Sequence, residues 1–144
     1  MHIHRFRTTG NGPHEVTDAL HAAVAASGLR SGVLVATIPH TTAGLTVLSF
    51  PDPLGLEDVA DELNRLVPTR IDFKHQHDTP QDAAGHIKSA LTGVSLSLII
   101  DGGALQLGHS QAVYFMEFDG PRDRQLYLQP VPATAPRKED ADDV

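Results

Sequence analysis

The chain has 144 residues, 40 % hydrophobic and 20 % charged, the proportions of one ordinary folded domain with room for a core. Its 18 acidic and 11 basic residues give a formal net charge of -7, which argues against a duplex nucleic-acid binder. It has no cysteine, which excludes disulfide frameworks, thiol nucleophiles and Cys-ligated zinc or iron–sulfur sites, while 9 histidines make histidine the residue to follow.

Weak alternation over His2 to Thr8 predicts a strand, and Thr9-Gly10-Asn11-Gly12-Pro13 a turn. Val16, Leu20, Ala23 and Val24 recur at helical spacing, so a helix is expected over 14–27, with Gly28 as its stop. The run 32–38 (GVLVATI) reads as a buried strand, and 44–50 (GLTVLSF) as its partner after the break at Pro39-His40-Thr41-Thr42. Leu56, Val59, Leu63 and Leu66 predict a second helix over 55–67, stopped by Pro68. Thr69 to Asp82 is polar and reads as a long loop, a length that usually signals function. Asp82 suits the N-cap of a short helix over 83–91. Strands follow at 94–100 and 104–107 around Asp101-Gly102-Gly103, and a hairpin is expected from 112–118 and 125–129. The Pro/Ala-rich, acidic stretch 131–144 is expected to be a disordered tail on a single domain, 1–130. About seven strands in adjacent pairs, with three helices between them, indicate an α+β fold with mostly antiparallel sheets. No run of apolar residues is long enough for a membrane span and the first residues open no signal peptide, so a cytoplasmic protein without membrane partners is expected.

Several residues offer chemistry. His40 follows a predicted strand, where a rigid sheet displays site residues; a surface or capping histidine is the plainer alternative. His75 and His77 in Lys-His-Gln-His-Asp, with His86 nine residues on, offer imidazoles suited to Zn, Ni or Fe, although a solvated loop has the same composition. Lys88 and Ser89 are expected early in the third helix, where backbone N–H groups favour phosphate; an ordinary amphipathic helix with Ile87 and Leu91 facing the core is the plainer alternative. Asp52 and Asp58 are candidates for a base or for orienting a histidine, and Asp52 between prolines is also a natural turn residue. Glu117, Arg122 and Arg124 frame the last predicted hairpin, either to meet a metal and clamp a phosphate or as surface salt bridges. No G-x-S-x-G, Walker or G-x-G-x-x-G loop occurs, which argues against the corresponding hydrolase, P-loop and dinucleotide functions.

Together these segments resemble the YjbQ family, also described as the secondary thiamine-phosphate synthase family. The resemblance runs from about His40 to Gln129, with an extension to the N-terminus expected, and is carried by five blocks in order. They are His40-Thr41-Thr42-Ala43; Asp52-Pro53 with Asp58 and Pro68; Phe73-Lys74-His75; Gly85-His86-Ile87-Lys88-Ser89-Ala90-Leu91; and Gly103 to Gly108 with Gln111 and Glu117 to Arg124. It implies a compact α+β homotrimer with a histidine pocket for a divalent metal, zinc first, held by His40, His75 or His77, and His86. It also implies weak thiamine-phosphate synthase activity. The chain departs from the family pattern at Leu48-Ser49, where an Asn-Glu pair is usual, and at Gly108-His109-Ser110-Gln111, where Gly-Thr-Trp-Gln is usual.

The reading is thus a metal-assisted enzyme acting on a phosphorylated or pyrophosphorylated small molecule. His40, Asp52 and Glu117 are its catalytic candidates, and Lys88, Ser89, Gln111 and Arg122 bind phosphate. A non-catalytic trimeric scaffold that binds metal or anions is the alternative.

Overall fold

The computed structural model describes residues 1–134. It contains eight strands and three helices in the order β1 (His2–Arg7), β2 (Gly12–Glu15), α1 (Thr17–Ser27), β3 (Ser31–Thr37), β4 (Ala43–Ser49), α2 (Pro53–Leu66), α3 (Pro80–Thr92), β5 (Ser95–Asp101), β6 (Ala104–Leu105), β7 (Gln111–Glu117) and β8 (Asp123–Pro132). A five-stranded sheet has the order β1-β8-β3-β5-β6 and a three-stranded sheet the order β2-β7-β4. Every pairing is antiparallel, as the α+β expectation requires.

The main core lies between the two sheets and α1. Leu34, Ala36, Ile100, Leu126 and Leu128 face Leu45, Val113 and Phe115, and α1 inserts Leu20, Ala23 and Val24 among them. β7 is buried on both faces. Its alternate residues Ala112, Tyr114 and Met116, with Phe118 just beyond, turn away from the core and receive Leu56, Val59 and Leu63 of α2. This explains the unbroken apolar run Ala112 to Met116, since a strand covered on both sides has no polar face.

Two expected strand partnerships do not form. β3 and β4 belong to different sheets, as do β7 and β8. The segments 38–42 and 118–122 are therefore crossings between sheets and not hairpin turns. They lie side by side: Phe118 N donates to Thr42 O at 3.1 Å. By contrast the β5–β6 hairpin forms as expected, with Asp101 opposite Ala104 and Gly102 and Gly103 at positive φ.

Three boundaries also move. Gly12 to Glu15 pair with β7 as a short strand, so α1 begins at Thr17 and not His14. α3 begins at Pro80, because Thr79 and not Asp82 is its cap: the Thr79 side chain accepts from Asp82 N at 3.1 Å and Pro80 occupies the first helical turn. β8 continues through Pro132, pairing Val131 with Val33, and Ala133 N donates to Ser31 O at 3.1 Å. The domain therefore passes the expected boundary at 130, and residues 135–144 of the expected tail lie outside the described residues.

Candidate metal centre and its cleft

The crossing of chains between the two sheets is held by one buried ion pair. Glu117 is fully buried at the end of β7, and Arg124 near the start of β8 is 5 % exposed. Arg124 Nε donates to Glu117 Oε2 at 2.8 Å, and its Nη2 donates to Glu117 Oε1 and to Thr42 Oγ1. Glu117 also accepts from Thr8 Oγ1 at 2.9 Å and from the amides of Phe118 at 3.1 Å and Asp119 at 3.0 Å. Burial alone would raise the Glu117 pKa, but Arg124, the Asp119 amide and Thr8 outweigh it and hold the carboxyl below its ordinary range. Its oxygens are spent on five donors. Glu117, expected from the sequence as a catalytic candidate, is thus committed to fixing the crossing.

α3 lies against this crossing. A Cβ at Gly85 would sit 3.2 Å from Thr42 Cβ, so a glycine lets the helix approach the 38–42 segment closely. That approach brings His86 to Thr41. His86 Nδ1 lies 2.9 Å from Thr41 O, and since a carbonyl only accepts, Nδ1 carries the proton. The other ring nitrogen, Nε2, faces Asp82 Oδ2 at 3.1 Å. Asp82 and His86 are four apart on one helix face, and the side chain of Asp82 is 11 % exposed. His75 comes from the loop before α3, and its Nε2 also lies 3.1 Å from Asp82 Oδ2.

In a neutral His86 whose Nδ1 carries the proton, Nε2 presents a lone pair to a carboxylate oxygen. Two acceptors at 3.1 Å repel unless a second proton or a cation stands between them. One donor atom from each of His75, Asp82 and His86 lies within 4.8 Å of the other two. Two imidazole nitrogens and a carboxylate oxygen make the three-ligand set of an open divalent-metal site, and the Thr41 carbonyl fixes the His86 tautomer as such sites require. These residues fit a metal.

The site borders two hollows. A polar cleft of about 270 Å³ is lined by His40, Thr41, Asp78, Asp82, Arg122 and Arg124. An apolar one of about 330 Å³ is walled by Phe73, His75, Ala83, His86 and Ile87.

The expected site residues divide sharply. His75 and His86 come together, and Arg122 joins their cleft. Arg122 Nη2 donates to Asp119 Oδ2 at 2.6 Å and Nε to Asp119 O at 2.8 Å, which leaves part of a half-exposed guanidinium open to the cleft. His40 lines the cleft but stands outside the ligand group. Its Nε2 accepts from Gln125 N at 2.8 Å, and burial and then the Arg124 charge push its pKa down, so it is held as a neutral ring. His77 is exposed and is no part of the ligand group. Asp52 caps α2, accepting from Leu54 N at 3.0 Å, and orients no histidine. Gln111 is at the opposite end of β7 from Glu117, roughly 20 Å away by strand rise, and accepts from Gly108 N at 2.7 Å. Ser89 is buried and lines neither hollow. Lys88 opens into a separate cavity with Asn64, so it does not share a phosphate with Arg122. Asp58 and His109 are exposed, the first on α2 and the second in the turn before β7.

The member of this cluster that sequence reasoning left out is Asp82. Its signal was present as Asp-x-x-x-His, but a helix start at 83 placed Asp82 in the cap and took it off the face it shares with His86.

A family profile described as "UPF0047 protein YjbQ-like" matches residues 2–133. The chain belongs to this family. The protein MJ1081 of Methanocaldococcus jannaschii is 36 % identical over 115 residues, 80 % of this chain and 81 % of that one. YugU of Bacillus subtilis is 34 % identical over 117 residues, 80 % of this chain and 86 % of its own. Among solved structures, a YjbQ/UPF0047 family protein from Clostridium acetobutylicum superposes with a TM-score of 0.86 at 35 % identity, covering 91 % of this chain and all of that one (100 %). The hypothetical protein TT1486 of Thermus thermophilus gives a TM-score of 0.82 at 32 % identity, with 91 % and 100 % coverage. Membership thus extends the resemblance to the N-terminal strand. Among the described residues no helix is long and apolar enough to cross a membrane.

Proposed function

We propose that this UPF0047 family member holds one divalent metal, zinc first, on His75, Asp82 and His86, and acts there on a small phosphorylated molecule. The observation that carries the reading is the contact of His86 Nε2 with Asp82 Oδ2 at 3.1 Å while Nδ1 is committed to Thr41. A bound metal would neutralise charge on phosphate oxygens or on a departing pyrophosphate. Arg122 anchors a phosphate with the donors that Asp119 leaves free. His40, kept neutral, has Nδ1–H as a hydrogen-bond donor. Phe73, Ala83 and Ile87 receive an apolar part of the ligand. Transfer with loss of pyrophosphate, the thiamine-phosphate synthase chemistry, is the first reaction to assay.

A second reading has a specific observation in its favour. Glu117 and Asp52, the carboxylates expected to move protons, are both engaged in structural hydrogen bonds. The site then binds metal and anion without turnover. Assembly as a homotrimer is part of either reading. The outward face of the five-stranded sheet carries Ile99 at 62 % and Val131 at 43 % exposure, apolar surface that a subunit contact would cover.

Elemental mass spectrometry of wild type and single alanine variants tests the metal. Near-stoichiometric metal, lost in His75→Ala, Asp82→Ala and His86→Ala but kept in His40→Ala and His77→Ala, is expected. A wild type that stays metal-free after reconstitution removes the proposal. Turnover of phosphate esters by the loaded protein then separates the enzyme from the binding module.

A further inference from the structure

On the side of the buried ion pair away from the histidine cleft, a second cavity of about 80 Å³ lies between α2, α3 and β7. Asn11, Asn64, Lys88 and Glu117 supply its polar groups, and Met116 and Phe118 part of its apolar wall. Lys88 is 6 % exposed. Its Nζ donates to Asn64 Oδ1 at 2.6 Å, which leaves two of its three N–H groups without a protein acceptor among the described residues. No carboxylate pairs with it among those residues. Glu117 cannot serve, because Arg124, Thr8 and two backbone amides occupy its oxygens. Asn11 accepts from Gly120 N at 2.8 Å, so both asparagines spend their oxygens and keep their NH₂ groups as donors. The cavity is rich in donors and short of acceptors around a buried cation, an arrangement that costs free energy until an anion enters.

We propose that this cavity binds a small oxyanion, of carboxylate or phosphate size, on Lys88, Asn64 and Asn11. Its volume is several times the roughly 10–15 Å³ that one water needs. Asn11 and Asn64 are exposed and form the way in, so the oxyanion is either a free ion or the terminal group of a larger ligand. The site does not rest on the metal centre. Lys88 and Arg122 line different cavities, and the Glu117–Arg124 pair, with one member on each, separates them.

Calorimetric titration of the full chain with inorganic phosphate, acetate and phenyl phosphate tests the site. Binding of phosphate or acetate should weaken about tenfold or more in Lys88→Met and stay within about twofold of wild type in His77→Ala, an exposed position that lines neither this cavity nor the histidine cleft. Phenyl phosphate binding as well as phosphate identifies a terminal group, and its exclusion a free ion. Absence of binding in wild type overturns the proposal, as does wild-type affinity retained in Lys88→Met. Asn64→Leu, at an exposed helix position, should weaken binding severalfold and decides the matter if Lys88→Met fails to fold; unchanged affinity there overturns the proposal.

Discussion

Helices α1 and α3 are similar in length, 11 and 13 residues, and both are buried along one side, yet they bury opposite kinds of side chain. α1 buries Leu20, Ala23 and Val24, with Thr17 at its start. α3 buries Asp82, Lys88 and Ser89 beside Ala83, Ala84 and Gly85. The first pattern gains free energy from apolar area and makes α1 a structural element. The second takes charge out of water and gains little apolar area from its small residues. Such a helix is worth keeping for what its polar groups do. Asp82 and His86 face the cleft between the sheets, while Lys88 faces the cavity under α2. α3 therefore borders both hollows, and the tight glycine contact to Thr42 sets its position between them.

If that division holds, removing the support of α3 should cost the most. Glu117→Ala leaves Arg124 buried without its partner and should destabilise the fold by about 3–5 kcal/mol, read from urea midpoints. The same carboxyl predicts the acid limb. Its folded pKa is below the unfolded one, so its contribution is complete above about 4.3, the ordinary glutamate value, and is lost as pH falls through the lower folded value. Glu117→Gln should therefore flatten the fall of stability below that pH; an unchanged acid limb would remove Glu117 from the account. Leu20→Ala on α1 should cost about 2–5 kcal/mol and leave the metal content of folded protein unchanged. Loss of metal in that variant would erase the distinction between the helices.

The elements were largely legible in the sequence, because apolar periodicity reports burial and burial is local in effect. The periods of 56, 59 and 63 and of 20, 23 and 24 survive as packed faces. Which strands pair was not legible. Gly44 to Phe50 reads as a hairpin partner of Gly32 to Ile38, and only the closing of two sheets around α1 sends it to the other one. The site inherits the same limit. His75 and His86 were visible as residue types. Their convergence on Asp82 needs the helix start at Pro80 and the crossing at Thr41, and both are set by tertiary contacts. Arg124 and Glu117 read either as metal and phosphate contacts or as a surface pair, because a hairpin end is exposed; between two sheets the same residues are buried.

Gly85→Ala should have a moderate effect with a diagnostic split. A methyl 3.2 Å from Thr42 Cβ forces α3 outward. Overpacking and the better helix propensity of alanine partly cancel, leaving a net loss of about 1 kcal/mol. The shift also lengthens the His86–Thr41 hydrogen bond, so metal affinity should fall about tenfold, measured by competition with a chelating dye. A variant that loses stability but keeps full affinity would show that the approach of the helix does not tune the site.

The smallest effect separates two aspartates near helix N-termini. Asp52 caps α2 from an exposed position, and Asp52→Ala should cost about 1 kcal/mol with metal content intact. Asp82→Ala should do the reverse. It breaks no cap, since Thr79 supplies one, and it removes a buried charge whose desolvation is unfavourable without a cation. Its thermal midpoint in metal-free buffer should match or exceed that of wild type, and added zinc, which raises the wild-type midpoint, should not move it. A zinc-dependent rise in Asp82→Ala equal to that of wild type would place the metal elsewhere and reduce Asp82 to a structural contact of α3.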